Sequence, residues 1–159
     1  RKDDFIGEGH FRRILTDLNP PAQGETRRVV LCSGKLSYEL MEARDAAGDT
    51  STEIIRIEQL YPFPGEPLVK RLKAMPKLEE LVWAQEEPKN NGAWHFVEDE
   101  LEECLAEAGL KGKRARYAGR GASASPATGL AKRHAAEQAA LIADALGHSS
   151  RTSQTARAS

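Results

Sequence analysis

Residues Leu81–Trp94 read "LVWAQEEPKNNGAW". An apolar run of strand length stops at Gln85-Glu86-Glu87-Pro88, an Asn-Asn-Gly turn follows, and an amphipathic segment begins at Trp94. Proline lacks the N–H that a ladder needs, and Asn-Gly bends the chain, so the stretch reads as strand, loop, helix. A strand that is apolar at successive positions, rather than at every second one, is covered on both faces. The fold class turns on whether this unit repeats.

It does repeat. "RVVLC" (28–32) is another continuous apolar run, ending at Ser33-Gly34, and Leu36, Leu40, Met41 and Ala47 then recur at helical spacing. "EIIRI" (53–57) is a β-branched strand closed by "EQLYPFPG", where Pro62 and Pro64 forbid regular structure. Leu68, Val69 and Leu72 mark a short helix. Trp94, Val97, Leu101, Leu105 and Ala108 share one face of a helix running from about Gly92 to Ala108. "KRARYAG" (113–119) sets Arg114 and Arg116 against Ala115 and Tyr117, the alternation of a half-exposed edge strand. Leu130, His134, Leu141, Ile142 and Ala145 outline a last helix. Alternating strands and helices predict an α/β fold, a mostly parallel sheet with helices on both faces. That domain spans residues 28–146. Residues 1–27 form a leading amphipathic segment (Phe5, Ile6, Phe11, Ile14, Leu15) and a connector outside the core, and 147–159, "GHSSRTSQTARAS", are predicted to be a disordered tail.

A net charge of −1 over 159 residues, 30% of them charged, argues against a nucleic-acid partner, which calls for a basic surface. No apolar run approaches a membrane span and no signal-peptide pattern is present, so no membrane partner is expected. Cys32 and Cys104 lack metal-ligand spacing and read as buried free thiols in a reducing compartment. The chain begins at Arg1 rather than methionine, and is expected to be a piece of something longer.

Ligands of such sheets meet the carboxyl ends of the strands. "SGK" (33–35) is not half a phosphate loop: Val29 stands where the first glycine belongs and Leu36 follows the lysine. Ser33 reads instead as a helix cap. "GRGASA" (119–124) matches G-x-G-x-x-A but lacks the following strand with its acid. What remains is a loop with Arg120, Ser123 and Ser125 before a helix N-terminus, open either to an anion or to solvent. His95 and His134 have no companions at triad or ligand spacing. Glu86 and Glu87 are adjacent on an extended chain and point to opposite sides, so they cannot share a proton; they read as hydrogen-bond acceptors that fix loops across an interface.

"CSGKLSYEL" (32–40), "RIEQLYPFP" (56–64), "WAQEEPKNNGAW" (83–94) and "RYAGRGASASPATG" (116–129) together resemble the C-terminal, transketolase-like domain of the 2-oxoglutarate dehydrogenase decarboxylating component. The resemblance covers about Phe5 to Gly147. It implies a three-layer α/β/α sandwich with one antiparallel edge strand, for which 113–119 is the candidate. It also implies a thiamine-diphosphate-dependent oxidoreductase of the tricarboxylic acid cycle in which this domain has no catalytic residue. Thiamine diphosphate and magnesium would be bound outside the fragment, and the domain would scaffold a homodimer. The partner would be the lipoyl-bearing dihydrolipoyl succinyltransferase. Gln85, Glu86, Glu87 and Trp94 would then brace the interface with the thiamine-binding domains. Some relatives bind an acetyl-CoA effector here, which makes Arg12 (or Arg13), Lys35, Arg56 and Arg120, with Ser123 and Ser125, the expected contacts for acetyl-CoA or a nucleotide. Gly121 departs from the family pattern at that loop. The alternative is a stand-alone nucleotide- or acyl-CoA-binding regulatory module. Composition suits a bacterial cytoplasm and leaves a mitochondrial matrix open.

Overall fold

The computed structural model describes residues 12–123 and 131–148. In chain order the elements are β1 (Ile14–Leu15), β2 (Arg28–Cys32), α1 (Leu36–Ala46), β3 (Thr52–Ile57), α2 (Gly65–Lys73), β4 (Glu80–Gln85), α3 (Trp94–Glu107), β5 (Ala115–Gly119) and α4 (Ala131–Leu146). The strands lie in the order β1-β3-β2-β4-β5. β2 pairs in parallel with both β3 and β4, and β5 is parallel to β4.

The continuous apolar runs are explained by the two layers. Val29, Leu31, Ile55, Leu81 and Trp83 point into a cluster completed by Leu68 and Leu72 of α2 and by Val97 and Leu101 of α3. Val30, Cys32, Ile54, Val82 and Ala84 point the other way, against Leu36 and Leu40 of α1 and Leu141 and Ala145 of α4. The inner strands β2, β3 and β4 therefore bury both sets of side chains, which is the α/β/α sandwich expected.

The antiparallel strand lies elsewhere than the sequence suggested. Residues 115–119 are an edge strand but run parallel to β4, with Val82 opposite Arg116 and Trp83 opposite Tyr117. The antiparallel pairing is β1 on β3, Ile14 opposite Ile57 and Leu15 opposite Arg56, at the other edge. The leading segment, expected outside the core, thus supplies an edge strand. β1 is held by more than its short ladder. Just beyond it, the buried Asp17 accepts a hydrogen bond from the Ile54 amide (2.9 Å) and pairs with the buried Arg44. Arg44 also donates to the Thr52 carbonyl (3.2 Å) and to Asp45. Burial works against the Arg44 charge, but Asp17 and Asp45 more than offset it and the pKa is raised.

Ser33 does not cap α1: it is exposed, the residue before the helix is Lys35, and Ser37 Oγ donates back to the Gly34 carbonyl (3.0 Å). α4 ends at Gly147, whose φ of 73° is the left-handed stop that glycine adopts without strain. A Cβ there would also overlap the Arg28 guanidinium, which donates to the Leu146 carbonyl. Most of the predicted tail, 149–159, lies outside the described residues. No helix among the described residues is long and apolar enough to cross a membrane.

Candidate functional site

β2 sits in the centre of the sheet. The chain passes from it to β3 on one side, then crosses to β4 on the other, so the connections diverge at the carboxyl ends of β2 and β4. Gln85 ends β4 at this point, and its side chain organises the edge. Its Oε1 accepts from the Trp83 indole N–H (2.9 Å) and the Trp94 amide (3.0 Å). Its Nε2 donates to the carbonyls of Glu87 and Pro88 (3.2 Å each). Two donors facing the oxygen and two acceptors facing the nitrogen allow one amide orientation. Gly92 makes room for this clamp, since a Cβ at that position would overlap the Gln85 carboxamide.

The clamp ties β4 to the first turn of α3. Trp94 packs on Tyr117 of β5 (centroids 5.5 Å apart), and Lys89 lies over both rings at 5.8 and 5.5 Å. The Trp94 indole N–H makes no hydrogen bond within the described residues, so packing holds the ring. The Tyr117 hydroxyl reaches the Arg120 carbonyl (2.8 Å), and burial raises its pKa. Asn90 reads the backbone of Ser123 from both sides, donating to its carbonyl (3.1 Å) and accepting from its amide (3.0 Å). The loops after β4 and β5 are therefore one hydrogen-bonded unit.

Gln85 and Trp94, expected at an interface, turn inward within the described domain. Each is 3% exposed and engaged inside the domain, because the amide satisfies donors that the strand end would otherwise strand from water. The paired carboxylates part as the extended chain requires. Glu87 is exposed, while Glu86 turns toward α4, where it accepts from Gln138 (3.1 Å) and lies 3.5 Å from Lys35. Gln138 also bonds Glu39 (2.8 Å), closing one end of a shallow groove of about 420 Å³ between α1 and α4, lined by Lys35, Glu39, Glu86, His134 and Ile142.

The expected anion contacts at Lys35, Arg56 and Arg120 are all answered by acids. Lys35 faces Glu86 and Glu39; Arg56 pairs with Glu58 and lies 5.2 Å over the Tyr38 ring; Arg120 meets Glu137 at 3.0 Å. Burial opposes the Arg56 charge, but Tyr38 and Glu58 prevail and its pKa is raised. Arg12 is exposed beside the end of β3, and Ser125 lies outside the described residues. Alternating signs along one edge do not make a diphosphate cradle, which needs unopposed donors. Nor do the described residues hold a group of three His, Cys, Asp or Glu side chains placed for a metal ion. The described residues of this edge thus offer no cradle that fits thiamine diphosphate and magnesium. Burial pushes the Cys32 thiol up to about 12 and the Cys104 thiol up to about 11, and both thiols are free.

Sequence reasoning missed the exposed aromatics at the same edge. Tyr61, in the loop after β3, is 82% exposed and meets Phe96 of α3, 44% exposed, edge to face at 6.4 Å. The signal was available: Phe96 lies off the buried stripe of Trp94, Val97, Leu101 and Leu105, and Tyr61 stands in a proline-flanked turn where polar residues are usual.

Residues 1–146 match the family model described as 2-oxoglutarate dehydrogenase C-terminal. The chain belongs to that family. It is 45% identical over 155 residues to a protein named 2-oxoglutarate dehydrogenase E1 component from Brucella anthropi, covering 92% of this chain and 15% of the relative. A protein of the same name from Brucella ovis is 47% identical over 153 residues, covering 91% of this chain and 15% of the relative. The chain thus spans about 15% of the length of the curated relatives it matches. A solved structure, "Split gene transketolase, inactive beta4 tetramer", superposes with a TM-score of 0.52 at 15% identity, covering 79% of this chain and 39% of that one. At that identity the likeness bears on the fold, which is transketolase-like. The chain thus corresponds to a short portion of relatives named 2-oxoglutarate dehydrogenase E1 component.

Proposed function

We propose that this chain is the C-terminal domain of a 2-oxoglutarate dehydrogenase decarboxylating component and serves there as a scaffold. It packs on the domains that bind thiamine diphosphate and magnesium, and completes a homodimer that hands a succinyl group to the lipoyl-bearing dihydrolipoyl succinyltransferase. A bacterial cytoplasm is the compartment on this reading. The family match supports the placement. The observation that carries the scaffold role is the Gln85 clamp: at the divergence point of the sheet, where ligands usually bind, the side chain locks loops together. Glu87 remains exposed at the loop surface for contacts beyond the domain. The acid-paired cations give no support to an acetyl-CoA or nucleotide site, and so none to a stand-alone regulatory module.

The test is deletion of this domain from the full-length protein, read by sedimentation and by 2-oxoglutarate decarboxylation. The scaffold reading expects the dimer to dissociate and turnover to fall with it. A deletion variant that stays dimeric with unchanged turnover overturns the reading.

A further inference from the structure

The direction of β1 fixes where the polypeptide comes into this domain. Because β1 runs antiparallel to β3, residues before Ile14 lie beside the carboxyl end of β3: the Glu58 amide donates to the Arg13 carbonyl at 2.9 Å. Three residues on from Glu58 stands Tyr61, at most about 11 Å away along an extended chain. Its ring meets Phe96 at 6.4 Å. The end of α4 lies at the opposite edge, where Arg28 at the start of β2 holds the Leu146 carbonyl. The described chain therefore enters beside the Tyr61–Phe96 pair, at the opposite edge of the sheet from the end of α4.

Two adjacent aromatic rings in water are an unfavourable surface for a free domain. The groove between α2 and α3 is lined by charge: Glu66, Glu100, Glu103 and Glu107 with Lys70 and Lys73. The rest of the carboxyl edge is paired charges and the exposed Tyr38 ring, which Arg56 covers, so the adjacent Tyr61 and Phe96 rings are its apolar anchor. Aromatic anchors rimmed by polar groups are the common form of an interface centre. A portion of the same polypeptide that enters the domain beside such an anchor meets it at an effective concentration that a separate molecule does not reach.

We propose that Tyr61 and Phe96 form the seat on which the preceding portion of the same polypeptide docks, through an apolar face offering an acceptor to the Tyr61 hydroxyl. This rests on the reading of the chain as the last domain of a longer protein. It goes further in naming the surface and in choosing the protein's own upstream portion over a second copy.

The test uses the full-length protein with single replacements Tyr61→Cys, Phe96→Cys and, as control, Leu18→Cys. Leu18 is 60% exposed and lies beyond β1 toward the amino edge of the sheet. Maleimide labelling of each variant is followed by peptide mapping across a range of protein concentrations. The thiols introduced by Tyr61→Cys and Phe96→Cys should label at least about tenfold more slowly than the control, independently of concentration, since reactivity follows access. Labelling as fast as the control overturns the surface while leaving the scaffold reading intact. Protection that vanishes on dilution overturns the chosen occupant in favour of a second copy. A native polypeptide no longer than these 159 residues defeats the underlying reading itself.

Discussion

Removing the Gln85 carboxamide tests the whole loop architecture in one substitution. In Gln85→Ala two donors lose their acceptor, the Trp83 indole N–H and the Trp94 amide, and both tryptophans are buried where water does not replace it. A buried donor left unsatisfied costs about 1–3 kcal/mol, so the pair costs about 2–6 kcal/mol. The carbonyls of Glu87 and Pro88 belong to a loop at the edge of the domain and lose less. At about 2–4 °C per kcal/mol for a chain of this length, a mid-range loss lowers Tm by about 8–16 °C. Urea unfolding followed by tryptophan fluorescence reads this as a lower midpoint with an unchanged slope. Gln85→Glu separates the two halves of the clamp. It keeps oxygens for both donors but turns a carboxylate toward two carbonyl oxygens, so its folded-state pKa is raised above the unfolded value. The folded protein then holds the proton more tightly, and stability rises as pH falls through the folded value, where the acid O–H donates again. A loss below about 1 kcal/mol for Gln85→Ala, or a Gln85→Glu variant whose stability ignores pH between about 8 and 5, refutes the reasoning.

Asp17→Ala leaves the buried Arg44 guanidinium and the Ile54 amide short of their main partner, and calorimetry should register a loss of about 3–5 kcal/mol. Asp17→Leu with Arg44→Met should recover most of it, because the desolvation of both charges disappears together. Glu80 is partly buried, which works against its charge, but Arg116 and Arg28 hold its pKa below the ordinary carboxylate range. Its contribution is complete above the unfolded value of about 4.3 and is lost as pH falls through the lower folded one. Glu80→Gln should accordingly flatten the acid limb of stability against pH, and a limb unchanged in slope would exclude Glu80 as its source. Glu53 works in the opposite sense: burial raises its pKa despite Arg71, so its contribution improves as the solution is acidified. Finally, a thiol pushed up to about 12 is about one part in ten thousand thiolate at pH 8. Cys32 should resist a disulfide reagent in the folded protein and react fully in urea; rapid reaction of the native form would contradict its burial.

The layering was legible because each local signal agreed with the global fold. Runs such as "RVVLC" and "LVWAQ" are too short for helices and too continuous for one-sided strands, so they require cover on both faces. Helical spacing between them supplied the cover. The short edge strand β1 carried no such signal, since two residues have no period, and its pairing depends on β3, some forty residues away. That is why the antiparallel strand was sought at 113–119 instead.

The candidate site divides along the same line. The residue types in "AQEEPKNNGAW" and their opposed directions on an extended chain are properties of the sequence, as is the family to which the chain belongs. Which partner each polar group finds is not. Gln85 read as an interface contact because nothing local to it names the Trp94 amide, nine residues on, as its donor, and Arg120 read as an anion contact because Glu137 lies on α4. Hydrophobic periodicity is local and additive, so it survives in one dimension. Hydrogen bonds and ion pairs are short-ranged in space but not in sequence, so tertiary structure alone decided that this edge is a locked loop with the paired Tyr61 and Phe96 rings exposed beside it.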